Sequence, residues 1–544
     1  MQKAAESCST STCLLRKPCL ILCGVLLLGV LALAGWYQLE NMGGRKAWQR
    51  YARQADGWVD SVDSEDFAIP TSPERNYIWM KDVIPPPLAD GENFAAHPYW
   101  QWQFTAASHP GGEYELAREL SGEEKSQAER WIAFSAGAPK TSSGWAPSME
   151  ELRRADLAKF FNGGSGASGE TAETAPTLEE TLKLWDERLK PNQPLYEELR
   201  QYLKERPQCR YPIQYRQDNH GLFLNPLLPH LGALKGLAHY SMAFACIHLA
   251  RGETEQAQED ILYMLDIADT LQREPFPISL RIRMNISEMA LSVLWEGLEA
   301  GAWQAGQLRR FQERLGKVSF WNDLKLRLMG TRAAHNEELV GDLRWMEVLI
   351  HQVYGSPETS PGLEGRFKAL KTRLRPIGWY YRELLEFNLM MDSMLNIFDD
   401  ADRRYKPTEL AETFKTLDYY THPDLGAPHA RLIRATEAVY GLEEGFLDAA
   451  YHQFLVQAAE VACALERYRL ENERYPASLE ALAERLPVEE LPCDWVSALP
   501  PRIKLTDTGY LLWAPGWDRV DDGGVRAPAS LPAAKGDWVW EIRR

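Results

Sequence analysis

Residues Gly232 to Ala250 read Gly-Ala-Leu-Lys-Gly-Leu-Ala-His-Tyr-Ser-Met-Ala-Phe-Ala-Cys-Ile-His-Leu-Ala, and Arg251-Gly252-Glu253-Thr254 follows. In the first run Leu234, Leu237, Ala238, Met242, Ala245, Cys246 and Leu249 recur every three to four residues, the period of a helix with an apolar face. After the break, Ala257, Ile261, Leu262, Leu265, Ala268 and Leu271 stripe a second helix in the same way. The theme continues outward. Ile282, Ile286, Met289, Val293 and Leu294 mark a third helix, and Trp303 to Leu315 a fourth. From about residue 177 to 355 the pattern is helix after helix, so the expected fold class is mainly α, built of stacked helical hairpins.

The unit Ala250-Arg251-Gly252 with Ala257 resembles the turn inside a tetratricopeptide hairpin, where small residues let two helices approach closely. No 34-residue period accompanies it. Upstream, residues 38 to 111 are rich in Trp, Pro and Gly. Ile84 to Pro98 predicts an extended, polyproline-like chain and then a turn. The alternation around Trp100 and Trp102 predicts a short strand or a wrapped arm. Helices are expected over 113–137 and 149–161. The Gly/Ser-rich stretch 162–176 reads as a flexible linker. Downstream, a loop at 356–364, a helix from Trp379 to Ala401, a loop at 421–428 and a long helix from Leu447 to Glu471 complete the helical part.

The chain has 544 residues, 45% of them hydrophobic and 25% charged, which is ordinary for a globular protein. A net charge of −17 argues against a general nucleic-acid binder, because a polyanion is repelled. The basic stretch Arg366 to Arg382, which carries Trp379 and Tyr380, reads as a solvated helix face. Residues 18 to 37 carry no charge. Twenty residues at about 1.5 Å each span the roughly 30 Å hydrocarbon layer. Arg16 and Lys17 flank one end, and Trp36 and Tyr37 suit the opposite interface. Ala32-Leu33-Ala34 also fits a signal-peptide cleavage site. The apolar run is longer than a usual signal core, so an uncleaved anchor is expected. Four of eight cysteines lie in or before this run. The remainder (Cys209, Cys246, Cys463 and Cys493) are too sparse for a disulfide scaffold, with a Cys463–Cys493 bridge the one pairing considered.

Candidate chemistry is thin. His335, Glu338 and Asp342 share a helix face at i, i+3 and i+7, a polar face that in principle binds a metal. His239, Cys246 and His248 share a helix without sharing a face. Phe398-Asp399-Asp400-Ala401-Asp402-Arg403 is similar to the acidic motif of helical prenyl-transfer enzymes, but Arg403 stands where that motif needs a carboxylate, and a charged helix end is the simpler reading. No P-loop, dinucleotide fingerprint or nucleophile elbow occurs. The strongest ligand candidates are Asp518, Asp521 and Asp522, three carboxylates within five residues followed by Gly523 and Gly524. Calcium takes six to eight oxygens and suits such a loop. An Asp/Gly turn that satisfies its own amides is the alternative.

The last hundred residues carry a family resemblance. An apolar helix ends in Asn472-Glu473-Arg474-Tyr475-Pro476. Pro492-Cys493-Asp494, a strand-like Tyr510-Leu511-Leu512-Trp513, and Gly516-Trp517-Asp518-Arg519-Val520-Asp521-Asp522-Gly523-Gly524 follow. This order, over roughly 450 to 540, resembles the globular end of type II secretion pseudopilins. There the acidic loop binds calcium and holds a small sheet, which implies Asp518, Asp521 and Asp522 as ligands. The pseudopilin processing signal does not precede the membrane helix, so the resemblance implies a helix-plus-sheet module rather than assembly into a pseudopilus. The central part also resembles a group of membrane-anchored α-helical envelope proteins of planctomycete and verrucomicrobial bacteria, which combine an N-terminal anchor, stacked helices and this same C-terminal ending. The matching pieces are Pro86-Pro87 with Asn93-Phe94-Ala95, Ala250-Arg251-Gly252 with Ala257, Glu274-Pro275, and Asp521-Asp522-Gly523-Gly524. That resemblance implies architecture and no activity.

The expected organisation is a cytoplasmic N-terminus (1–17), a transmembrane anchor (18–37), a Trp/Pro-rich arm with the first helices (38–161), the linker (162–176), an α-helical body (177–446) and a pseudopilin-like α+β module (447–544). Positive charges flank the span almost equally, and the pseudopilin resemblance favours a single-pass inner-membrane protein with a periplasmic body. The expected role is binding or scaffolding, with the membrane and a protein or envelope polymer as partners. An envelope hydrolase with its site in the helical body is the alternative.

Overall fold

The computed structural model describes residues 7–54, 88–89, 91–107, 122–137, 178–213, 228–344, 376–421, 442–482, 493–526 and 536–544. The expected helix at 149–161, the linker, the loop at 356–364 and most of the loop at 421–428 lie outside the described residues. The protein is mainly α-helical, with a small sheet near its C-terminal end and one apolar helix near its N-terminus. It divides into two compact units. One holds 1–79, 335–392 and 416–439; the other holds 80–334, 393–415 and 440–544.

In the first unit, α1 (Ser7–Gln54) is one unbroken helix. Its side chains from Val25 to Leu33 are exposed along their length, whereas Trp48 is buried. The buried half packs on α11, which in chain order follows the helices of the second unit and spans Ile377–Asn396. The two backbones touch at glycines. A Cβ on Gly44 would overlap the Gly378 carbonyl, and a Cβ on Gly378 would overlap that of Glu40. Polar contacts fix the register: Gly378 N donates to Asn41 Oδ1 at 3.0 Å, Trp379 Nε1 to Glu40 Oε2 at 3.0 Å, and Tyr51 Oη to Asp392 Oδ2 at 2.6 Å. Asn336 and Asn388 exchange side-chain amide hydrogen bonds in the same unit.

The second unit begins with a clip. Asn93 caps a 3₁₀ turn (Phe94–Ala96), its Oδ1 accepting from Ala95 N. The same side chain bonds both N–H and C=O of Arg210, and Phe94 N donates to Gln208 O. The Asn-Phe-Ala piece therefore ties the arm to a distant strand-like segment. The expected strand around Trp100 and Trp102 is instead a helix, α2 (Pro98–Ala107). Pro98 suits a first helical turn, where its missing N–H costs nothing. Both tryptophans are buried because the helix is covered on more than one side. Then come α3 (Gly122–Gly137), α4 (Leu178–Leu189), α5 (Gln193–Glu205), α6 (Pro229–Ala250) and α7 (Thr254–Asp269).

The α6–α7 turn forms as its sequence requires. Gly252 sits at φ +75°, with Gly252 N on Leu249 O and Glu253 N on His248 O. This pair of bonds is the glycine-dependent helix stop known as the Schellman motif. Next come α8 (Pro277–Glu299), α9 (Ala305–Leu315) and α10 (Trp321–Arg344). The helix expected to reach Ala401 ends at Asn396. A hairpin of β1 (Phe398–Asp399) and β2 (Arg404–Tyr405) replaces its last turn. Asp399 Oδ1 accepts from Asp402 N at 3.5 Å, Arg403 takes φ +48°, and Phe398 and Tyr405 turn inward against Trp321. Asp-rich sequence here favours a turn over helix continuation.

After α12 (Pro407–Thr421), α13 (Leu442–Asn472) runs through the second unit. Phe454 to Val456 and Ala458 to Leu465 are buried, apart from small gaps, on every side of this helix, so its apolar character reflects enclosure rather than one face. It packs on α8, α9 and an antiparallel sheet ordered β3 (Arg502–Leu505), β4 (Gly509–Ala514), β5 (Trp538–Arg543). Register puts Tyr510, Leu512 and Ala514 opposite Ile542, Trp540 and Trp538 on the inner face. Trp538 meets Tyr451 and Phe454 of α13 there. One edge strand, β3, carries Arg502 and Lys504, charges that discourage edge-to-edge pairing.

Candidate functional site

The acidic turn lies across the outer face of this sheet. Gly524 has φ +86°, and a side chain there would overlap Leu511 of β4. Asp521 Oδ1 accepts from Trp513 Nε1 at 2.9 Å and from Gly523 N at 3.1 Å, while its Oδ2 faces the Arg502 guanidinium. Asp518 Oδ1 accepts from Val520 N. Asp522 contributes its amide, donated to Asp537 Oδ1, and Asp537 Oδ2 accepts from Gly524 N at 2.6 Å. Asp537, buried and distant in sequence, is the group that holds the turn and was not among the expected ligands. In this arrangement the Asp521 and Asp537 oxygens accept from amides, an indole and the Arg502 guanidinium. Among the described residues, no group of three or more His, Cys, Asp or Glu side chains is placed to hold a metal.

The helical body gathers polar groups at several places, among them three sets that bring a histidine to a carboxylate. Asp260 of α7 is buried and receives Tyr196 Oη at 2.8 Å and Arg200 Nη1 at 3.0 Å, both from α5. His248 Nδ1 of α6 lies 2.7 Å from its second oxygen. Burial first, and then the Asp260 charge, pushes the Tyr196 phenol up, so it remains a donor. His230 Nε2 lies 2.7 Å from Glu274 Oε1, and Ser279 Oγ donates to Glu274 Oε2 at 2.5 Å. The His230 ring is stacked on Tyr211 and Phe104, and its Nδ1 has no hydrogen-bond partner among the described residues. His452 of α13 lies 3.4 Å from Glu288 of α8, with Nδ1 2.7 Å from the Asp448 carbonyl. Burial opposes a charge on this imidazole, but the Glu288 carboxylate more than offsets it and raises the His452 pKa.

Nucleophilic catalysis needs a base on the nucleophile. In the Ser279–Glu274–His230 set, hydroxyl and imidazole occupy separate oxygens of one carboxylate, so the imidazole does not act on Ser279. His248 is oriented by Asp260 as a general base would be. Its Nε2 points to Glu253 at 3.8 Å rather than to a hydroxyl or thiol. All three groups join different helices, which is what clamps do. Asp260 and Asp537 were missed because isolated acids in a long sequence carry no spacing signal. Glu274 belonged to the Glu274-Pro275 piece, whose role here is the buried carboxylate.

The remaining sequence candidates do not converge. His335 is buried against Phe387, and the side chains of Glu338 and Asp342 lie outside the described residues. His239 is buried away from water, which lowers its pKa to about 4, with Lys235 adding to the effect. Asp400 is held by Lys325 and Trp321 Nε1 at 2.7 to 2.8 Å, and Arg404 pairs with Asp402, so the acidic run is a hairpin turn. Cys463 is buried in α13 and Cys493 is exposed; the two thiols are not joined. No protein-family model matches the chain, and neither a curated protein nor a solved structure matches it.

Proposed function

We propose that this is a membrane-anchored binding or scaffolding protein, held in the inner membrane by residues 18–37 of α1, with its helical body in the periplasm. The carrying observation is that α1 is one helix with two surroundings. Its first half presents exposed apolar side chains from Val25 to Leu33, and its second half is built into the fold at Gly44 and Trp48. Apolar surface on that scale needs lipid or protein cover. In this reading the α6–α7 hairpin is tetratricopeptide-like, the C-terminal helix and sheet form a pseudopilin-like module, and the partner is a protein or envelope polymer. The affinity with planctomycete and verrucomicrobial envelope proteins belongs to the same reading. Clamp-like use of the buried His–carboxylate pairs supports scaffolding. The alternative, an envelope hydrolase, draws on His248, whose Asp260-oriented imidazole reaches solvent.

The test is a C-terminal alkaline phosphatase fusion combined with carbonate extraction of membranes. The proposal expects phosphatase activity and a carbonate-resistant protein. A silent phosphatase with a fluorescent cytoplasmic reporter at the same position would refute the periplasmic body. Release by carbonate would refute the anchor.

A further inference from the structure

We propose that the first turn of α11 is a second membrane contact, with Trp379 seated beside Trp36 in the headgroup layer of the bilayer. This rests on the anchor reading of α1 and adds an element whose Trp379 lies 343 residues after Trp36 in sequence. Trp36 stands near the end of the uncharged run, four residues before Glu40, and 41% of it is exposed. An indole at that point is where amphipathic rings settle, one edge among lipid chains and the N–H toward water.

Trp379 is fixed at the same height. Its ring meets Trp36 edge to face, with centroids 6.0 Å apart. Its Nε1 donates to Glu40 Oε2 one helical turn beyond Trp36, and Gly378 N donates to Asn41 Oδ1. The glycine contact leaves no room for the helices to slide, because either backbone would meet a Cβ after a shift of one turn. Tyr51 on Asp392 then shows the direction: α11 starts near the end of the span and runs parallel to α1, away from it. Glu40, which accepts from Trp379, is also met by Arg382 at 3.4 Å. An aromatic pair at this height suits the interfacial zone of the bilayer.

The experiment uses the full chain labelled with 5-fluorotryptophan in phosphatidylcholine nanodiscs, at one chain per disc so that no second copy covers the surface. Fluorine resonances are assigned by loss in Trp36→Phe, Trp48→Phe and Trp379→Phe. Trp379→Tyr serves as a second assignment if the phenylalanine variant misfolds. A phosphatidylcholine bearing a headgroup nitroxide is then added. The expected result is strong broadening of Trp36 and Trp379 and little of Trp48, which stands 12 residues, or about 18 Å, further along α1. Broadening of Trp36 with a sharp Trp379 would overturn the second contact and leave the anchor standing. Sharp lines for both would overturn the anchor reading and this proposal with it.

Discussion

Two long helices in this molecule are rich in apolar residues, and their surroundings are opposite. From Val25 to Leu33, α1 shows exposed side chains; from Phe454 to Leu465, α13 shows almost none. The difference lies in what interrupts them. Residues 18–37 carry no ionisable group between Lys17 and Glu40 apart from the thiols and Tyr37. By contrast, α13 places Gln453, Glu460 and Glu466 among its buried residues. A helix enclosed by protein can give a carboxylate its partners, as Glu466 receives Arg544 Nη2 at 2.6 Å, Tyr475 Oη at 2.7 Å and Arg469 Nε at 2.9 Å. A helix enclosed by lipid has no such donors, so its sequence excludes the charge.

One substitution in each helix gives the largest contrast. Leu465→Arg places an unpaired charge in a packed interior, and loss of cooperative unfolding is expected, a cost above about 4 kcal/mol. Leu31→Arg should leave the melting of the body unchanged and instead reduce membrane insertion, at about 2.5–3.5 kcal/mol for a mid-helix arginine. Thermal melting and membrane fractionation of both variants check this, and a body destabilised equally by both would erase the contrast. Next in size is Glu466→Ala. It strands the Arg544 and Arg469 guanidiniums and the Tyr475 hydroxyl, at about 3–5 kcal/mol by denaturant unfolding. The sheet should loosen first, because Arg544 follows β5.

Glu460 sharpens the comparison from the other side. It is buried in α13, its Oε1 has no partner among the described residues, and burial alone raises its pKa to about 7. Its ordinary value is 4.5, so the folded state holds the proton more tightly than the unfolded chain. Stability is therefore full below pH 4.5 and falls as pH rises through 7. A shift of that size corresponds to about 3 kcal/mol. Glu460→Gln should match the native protein at about pH 4 and exceed it by up to that amount at about pH 8.5. Parallel denaturation curves at both pH values measure the difference, and an equal gap at both would mean that the carboxyl is not the cause.

Periodicity carried most of the helical architecture, because the apolar stripes of α6 to α9 are set by local spacing. It failed where tertiary context decides. Trp100 and Trp102, two apart, look like a strand, yet lie in a helix covered on more than one side. At Phe398 the helix pattern continues on paper, but Asp399 and Arg403 make a turn that lets Phe398 and Tyr405 pack on Trp321. The acidic turn was visible as a cluster, while the acid that organises it, Asp537, lies fifteen residues after Asp522 and was invisible as part of it. The His–carboxylate clamps were hidden for the same reason: His230 and Glu274, or His452 and Glu288, meet only once helices stack.

The smallest expected effect concerns that turn. Its carboxylates already accept from the Val520, Asp522, Gly523 and Gly524 amides and from Trp513 Nε1, and Arg502 neutralises Asp521. Asp521→Ala removes two hydrogen bonds to a part-exposed carboxylate and its ion pair with Arg502, so a loss of about 1–2 kcal/mol is expected. Because a cation must first displace Arg502, chelator should not shift the melting temperature of the native protein, and calcium should not rescue the variant. A melting shift of the native protein on adding calcium, absent in Asp521→Ala, would show that the turn rearranges to bind the ion as the pseudopilin resemblance implies. In that case Arg502→Gln, which frees the Asp521 oxygen, should tighten calcium binding by calorimetry. If the turn is self-satisfied, the same substitution should change stability slightly and bind no calcium, and the outer face of the sheet would then be held as the buried Glu466 of α13 is, by partners built into the fold.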